Sequence, residues 1–335
     1  MKIAINGFGR IGRLTLRAFL EKKPKDIEIV AINDLADLNS NAHLFKYDSV
    51  HGTFENEIKV LGSSISIDNH SIQFFSQRDP LKLPWQDLEI DLVIESTGLF
   101  TDRESARKHI EAGAKKVLIS APGKNVDLTV VCGVNDEMLK PSHNIVSNGS
   151  CTTNCLAPIA YIIDSKLKIK SGYMTTIHAV TGDQKTIDTF HKDLRRARNS
   201  LMSMIPTSTG AAKAVGEVLP NLKGKLDGSA VRVPTANVSL IDFCFETDVT
   251  TNEEVINNLI INASQQRLKN ILSYVKVPLV SSDFNHNPHS SVADLDGTKV
   301  LNGNFCRILA WYDNEWGFSN RLIDVSEKML NEKFL

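Results

Sequence analysis

"KIAINGFGRIGRLTLRAFL", residues 2–20, decides the fold. A short apolar strand, "KIAIN", runs straight into Gly7, Gly9 and Gly12, spaced G-x-G-x-x-G. Leu14, Leu16, Ala18, Phe19 and Leu20 then follow as the apolar side of an amphipathic helix. Between a strand and a helix, three such glycines allow a tight turn and a close backbone approach to a pyrophosphate, which the helix N-terminus stabilises. A second strand, "IEIVAIND", ends at Asp34, 22 residues after Gly12. A carboxylate there can bind both hydroxyls of a ribose and repel a 2′-phosphate. The first half is therefore expected to bind a dinucleotide.

Working outward, "IDLVIEST", "KKVLIS", "TVVCG" and "NIVSN" read as further strands, and "DRESARKHIEAG" as an intervening helix. This is the rhythm of a parallel, doubly wound sheet, whose ligands sit beyond the carboxyl ends of its strands. Thr97–Gly98 and Ser120–Ala121 lie at such ends, either as cofactor contacts or as plain strand-ending turns. Past residue 150 the texture changes to longer strands, "GYMTTIHAV", "SAVRVP", "VSLIDFCFET" and "NFCRILAWY", with helical stretches near 210–218 and 252–268. That pattern predicts an α+β domain with a mainly antiparallel sheet. The expected organisation is a nucleotide-binding domain over 1–150, a catalytic domain over 151–314, and an amphipathic helix over about 315–335 that packs back on the first.

With 335 residues, 42% hydrophobic and 23% charged, the chain is an ordinary globular one of about two domains. Its net charge of -1 gives no basic excess for nucleic acid or acidic membranes, and its apolar runs are strand-sized. Five scattered cysteines suit a reducing compartment, with the cytoplasm as the simplest address.

Two of those cysteines stand in "SNGSCTTNCLAPIA", residues 147–160. Asn148, Gly149 and Ser150 read as a turn and helix cap, which puts Cys151 in the first turn, where the helix dipole and unpaired N–H groups favour a thiolate. Cys155 falls one turn deeper; i, i+4 cysteines are badly aimed for a disulfide, and no second Cys/His pair completes a zinc site. Cysteine is often simply buried, so Cys151 needs a partner base to count as a nucleophile. His178, at the end of an alternating run, is the candidate. Arg232, between Val231 and Val233 in an apolar strand, is costly to bury unless it meets an anion. In "HKDLRRAR", Arg195 and Arg198 read as a solvated face, and "FNHNPH" reads as a loop rather than a metal site.

These residues belong to a longer set, "NGFGRIG", "AIND", "SNGSCTTNCLAP", "HAVTGDQ", "HKDLRRAR", "PTSTGAAKAVG", "AVRVPT" and "WYDNEWGFSNR", in order from end to end. Together they closely resemble the phosphorylating glyceraldehyde-3-phosphate dehydrogenases of the bacterial type. The resemblance implies a Rossmann domain for NAD followed by a catalytic domain, with Cys151 as nucleophile, His178 as base and Cys155 as a helix filler. It implies a cofactor site of Asn6, Gly7, Gly9, Arg10, Ile11, Asp34, Arg78, Thr97, Ser120 and Asn314. It places Ser150, Thr152, Thr181, Arg196, Thr209, Gly210 and Arg232 in two anion subsites, for the substrate phosphate and for attacking inorganic phosphate. It also implies glyceraldehyde 3-phosphate as substrate, a homotetramer, no metal, and no nucleic acid or membrane as main partner. Two places depart from the pattern. Thr189–Phe190 stands where many NAD-using members carry Leu-Pro in a loop that helps exclude NADP, and "HAVTGDQ" replaces the commoner "HAYTNDQ". Erythrose-4-phosphate dehydrogenase shares the nucleophile and base, and Gly210 and Thr181 separate this chain from it. A nucleotide-binding regulatory or RNA-binding protein on the same scaffold is the alternative from another class, disfavoured by the intact Cys151–His178 pair.

Overall fold

Ile3, Ala4 and Ile5 are all fully buried in the strand Lys2–Asn6, so both of its faces are covered, as in the middle of a parallel sheet. The computed structural model, which describes residues 1–68 and 70–330, places this strand near the centre of a nine-stranded sheet. Across that sheet the order is Leu128–Thr129, Ile145–Ser147, Lys116–Ile119, Leu92–Glu95, Lys2–Asn6, Glu28–Asn33, His70–Phe75, Ser64–Ile67 and Ile58–Leu61. The pairings from Leu128–Thr129 to His70–Phe75 are parallel. The last three strands form an antiparallel meander at one edge, which the alternating rhythm of the sequence does not reveal. The order reverses between Lys2–Asn6 and Leu92–Glu95, which leaves a crevice beyond their carboxyl ends.

Helices Arg10–Lys22 and Arg103–Glu111 serve this sheet, the second opened by a capping box between Asp102 and Ser105. The expected strand "TVVCG" pairs only through Leu128–Thr129. Beyond it the Asn135 side chain takes the Val131 N–H at 2.8 Å and Gly133 adopts φ +78°, so a turn replaces the ladder. The chain divides into two compact units. One comprises Met1–Val130, Asp136–Gly149 and the residues from Ser319 on; the other comprises Val131–Asn135 and Ser150–Phe318. The final helix runs Trp316–Leu330, and positions 331–335 of the expected one lie outside the described residues. Lys22 Nζ holds Asp324 at 2.5 Å, and Lys328 pairs with Asp136.

The second unit carries a seven-stranded, mainly antiparallel sheet in the order Ile205–Ser208, Leu226–Arg232, Ile169–His178, Ser239–Thr247, Phe305–Tyr312, Ser291–Leu301 and Leu272–Val275. Ile241, Phe243 and Phe245 are buried while Leu240, Asp242 and Cys244 between them are only partly so, the two-residue period of a sheet covered on one face. Helices Cys151–Leu167, Ala211–Val218 and Glu253–Gln265 complete the unit.

Candidate active site

The crevice of the first unit is a cleft of about 270 Å³ lined by Asn6, Gly7, Gly9, Asp34, Arg78 and Thr97 among others. Each glycine of the opening motif has a separate steric reason. A Cβ on Gly7, which has φ +94°, would stand 2.7 Å from Thr97 N. On Gly12 it would stand 2.1 Å from Gly7 O, where the helix crosses the strand. Gly9 faces open space, with nothing within 4 Å, and is the point where a ligand can approach the backbone. Asp34 accepts the Phe8 N–H at 2.7 Å and the Ala36 N–H at 2.9 Å, so its carboxylate is fixed at the cleft wall. A phosphate-bearing nucleotide fits this open glycine turn at a helix start. Arg10 and Ile11 open that helix, with the Arg10 guanidinium turned to Asp48 at 2.5 Å; neither they nor Ser120 line the cleft. Asn314 belongs to the second unit. Its side chain is buried, and its Oδ1 accepts the Ser239 hydroxyl at 2.8 Å.

Cys151 opens the helix Cys151–Leu167, and Ser150 caps it by accepting the Thr153 N–H at 3.0 Å. Gly149, at φ +64°, makes the preceding turn. Cys151 Sγ lies 3.6 Å from His178 Nε2. His178 ends the strand Ile169–His178 and is in register with Arg232, the last residue of the parallel strand Leu226–Arg232. The sheet therefore puts the imidazole and the guanidinium side by side. His178 Nδ1 sits 2.7 Å from Ala179 O, and two lone pairs cannot meet so closely, so Nδ1 carries the hydrogen. Nε2 then presents its lone pair to the thiol. The Arg232 Nη1 group, 3.1 Å from the same Nδ1, donates instead to Thr181 Oγ1 at 3.0 Å.

Burial pushes the Cys151 thiol above its ordinary value, against the pull of Arg232 and the backbone N–H of Thr152. Burial first, then the Arg232 charge, lowers His178 to about 4. The pair thus rests as a neutral thiol beside a neutral imidazole poised to accept its proton. Arg232 is mostly buried, and its Nε has no partner in the fold, the expected state of a guanidinium waiting for an anion. Arg196 reaches Asp183 at 2.9 Å and Thr207 at 3.0 Å, while the Thr181 hydroxyl also donates to Asp183. Burial raises the Asp183 carboxyl, but Thr181, Arg232 and Arg196 together hold it below its usual range.

Thr209 and the exposed Gly210 precede helix Ala211–Val218, where Gly210 is the cap and a Cβ would meet nothing within 4 Å. The Thr153 hydroxyl reaches Ala211 O at 3.5 Å, which draws the starts of the two helices together. Thr152 turns its hydroxyl inward to Tyr312, at 2.8 Å, and Tyr312 bonds Thr176 at the same distance. Cys155 is fully buried beside Ser291, and burial pushes its thiol far up. Arg195 and Arg198 are exposed, the latter on Asp188. His286 stacks on Trp316 with ring centroids 3.7 Å apart. Among the described residues no group of three His, Cys, Asp or Glu side chains is placed to hold a metal. Sequence reasoning passes over Asp183, Tyr312 and Ser239. Asp183 has a local signal, two residues after Thr181, whereas Tyr312 and Ser239 are joined to the site only by strand register.

Comparison with known proteins agrees with this arrangement. Residues 1–103 match the NAD binding domain of glyceraldehyde 3-phosphate dehydrogenase, and residues 150–314 match its C-terminal domain. The glyceraldehyde-3-phosphate dehydrogenase of Xanthobacter flavus is 57% identical over 329 residues, 98% of each chain. The chromosomal enzyme of Cupriavidus necator is 54% identical over 97% of each chain. That of Pseudomonas aeruginosa is 54% identical over 97% of this chain and 96% of its own. The chain belongs to the glyceraldehyde 3-phosphate dehydrogenase family of NAD-dependent dehydrogenases.

Proposed function

We propose that this protein converts glyceraldehyde 3-phosphate, inorganic phosphate and NAD to 1,3-bisphosphoglycerate and NADH. The observation that carries the reading is the 3.6 Å approach of Cys151 Sγ to a neutral His178 Nε2, at a helix start beside Arg232. Cys151 attacks the aldehyde carbon while its proton passes to His178, which returns it to the aldehyde oxygen as the hemithioacetal forms. His178 then takes the hydroxyl proton as hydride leaves the same carbon, giving a thioester. The hydride acceptor is supplied by NAD when bound. The N–H groups of Cys151 and Thr152, at the positive end of the helix, favour negative charge on the sulfur and on the neighbouring oxygen. Phosphate attacks the thioester carbon, the acyl phosphate leaves, and His178 reprotonates the departing thiolate.

Arg232, Thr181 and Arg196 hold the anions, with Ser150, Thr209 and the Gly210 backbone beside them. Thr152 backs this wall through Tyr312. In the nucleotide cleft Asn6, Gly7, Gly9, Asp34, Arg78 and Thr97 hold the cofactor; Arg10, Ile11 and Ser120 contribute to its binding from outside that lining, and Asn314 offers its amide N–H to the nicotinamide. A homotetramer is supported by an apolar segment left in solvent: Ile187, Phe190, Leu194, Leu201, Met202 and Met204 are all at least 60% exposed. A cytoplasmic address is supported by five free thiols, and no described helix is long and apolar enough to cross a membrane.

The test is NADH production from glyceraldehyde 3-phosphate with and without inorganic phosphate. Turnover should depend strictly on phosphate, and Gly210→Lys, which fills the open space at that helix start, should lower the rate and the phosphate dependence together. Faster turnover with erythrose 4-phosphate, unaffected by omitting phosphate, would overturn the assignment.

A further inference from the structure

Behind the nucleotide cleft lies a group of fully buried polar side chains to which the chemistry above gives no role. Glu95 and His109 are at most 1% exposed. The indole N–H of Trp85 can only donate, and it points at His109 Nδ1 from 3.1 Å, so that nitrogen accepts. His109 Nε2 therefore carries the hydrogen and donates to Glu95 Oε2 at 3.1 Å. The same oxygen accepts the Asn6 amide at 2.6 Å. The other carboxylate oxygen accepts the Thr97 N–H at 2.8 Å and the Thr97 hydroxyl. One buried carboxylate thus takes four donors, and two of them, a backbone N–H and a hydroxyl, come from Thr97, a residue of the cleft wall that it holds in place. Asn6, so fixed, accepts from Asn33 at 2.7 Å, and Asn33 Oδ1 takes the Gln77 N–H at 2.8 Å. Asn6, Asn33, Gln77 and Thr97 all line the cleft.

We propose that Glu95, oriented by His109 and Trp85, is a positioning residue for cofactor binding, setting Asn6 and Thr97 in the geometry a nucleotide meets. A packed apolar interior would need none of these groups, and charges are buried at a cost unless every partner is met. Their placement at the switch point of the sheet joins that cost to the ligand site. An amide in place of the carboxylate would turn an N–H2 group toward two of the four donors, so either Asn6 or Thr97 would be released.

The proposal rests on the family's use of NAD, and its test separates the two. NAD is titrated by calorimetry into the full-length wild type, Glu95→Gln, His109→Phe and His109→Gln, with melting in the absence of NAD and the alkylation rate of Cys151 measured on each. Glu95→Gln and His109→Phe should bind NAD about 10- to 100-fold more weakly, the range of a lost hydrogen bond to a charged group. His109→Gln, which keeps a donor and an acceptor, should recover most of the affinity, while Cys151 alkylation stays within about twofold throughout. If Glu95→Gln fails to fold, the contrast between the two His109 variants decides. Lower melting with NAD affinity unchanged would make the network structural and overturn the proposal. Failure of the wild type itself to bind NAD would overturn the cofactor reading along with it.

Discussion

Two alanine substitutions three residues apart should fail in opposite ways. At Gly12 the added methyl would lie 2.1 Å from Gly7 O, about 1 Å inside the closest comfortable carbon–oxygen approach of ~3.3 Å. Gly7 cannot easily retreat, because its carbonyl accepts the Ser96 hydroxyl at 2.6 Å and its N–H donates to Asn33 O at 2.8 Å. Overpacking of this kind costs about 1–3 kcal/mol and a disturbed hydrogen bond about 1 more. A loss of roughly 2–4 kcal/mol lowers the melting temperature of a 335-residue chain by roughly 3–6 °C. At Gly9 the methyl meets nothing within 4 Å, and the backbone, at φ -71°, suits any residue. Stability should therefore stay within about 0.5 kcal/mol of wild type. The methyl would occupy the space through which a pyrophosphate reaches the backbone, so NAD affinity should fall by at least about tenfold, on the order of 1.4 kcal/mol. Thermal melting of the unliganded proteins and NAD titration read the two effects separately. Wild-type melting for Gly12→Ala, or wild-type NAD affinity for Gly9→Ala, would refute the division of labour between the glycines.

Cys151→Ser should lose nearly all phosphorylating activity while Cys155→Ser keeps most of it, and iodoacetamide should label one thiol fast; the reverse result would remove the helix-start argument. Asp48 accepts two backbone N–H groups and pairs with Arg10, which together outweigh burial and hold it at about 2. A carboxyl depressed in the folded state contributes stability above its unfolded value of about 3.8. That contribution fades as the pH falls from about 4 to 2, so Asp48→Asn should lower stability at pH 7 and flatten the acid limb of melting against pH. An acid limb unchanged by the substitution would show that the Arg10 pair carries no such linkage.

What could be read in the chain is what is local. The glycine turn, Asp34 after its strand, and the cap of the Cys151 helix all depend on residues within a few positions of one another. His178 beside Arg232 depends on two strands meeting in register across 54 residues, which no window of sequence contains. The same holds for Tyr312 against Thr152, 160 residues away. The edge meander alternates Ile65 and Ile67 with serines, but a period of two does not say which sheet edge a strand joins. "TVVCG" fails as a strand because Asn135 captures a backbone N–H that the ladder needed. The charge states of the site were also out of reach, since burial and Arg232, rather than the helix start alone, set those of Cys151 and His178.

The return of the chain from Ser319 into the first unit has a consequence for synthesis. Leu322, Ile323, Val325 and Met329 are buried, and the helix that carries them leaves the ribosome after every other described segment of that unit. All the other segments of that unit have been made by Gly149, about 170 residues earlier. At ordinary elongation rates the nascent nucleotide-binding unit waits roughly 10–30 s with the surface that this helix will cover still facing solvent. The second unit has every residue it needs by Phe318, and so becomes complete before the first, although it begins later in the message. A chain released soon after Phe318 would therefore have Cys151 housed in a complete second unit and its nucleotide-binding unit unfinished.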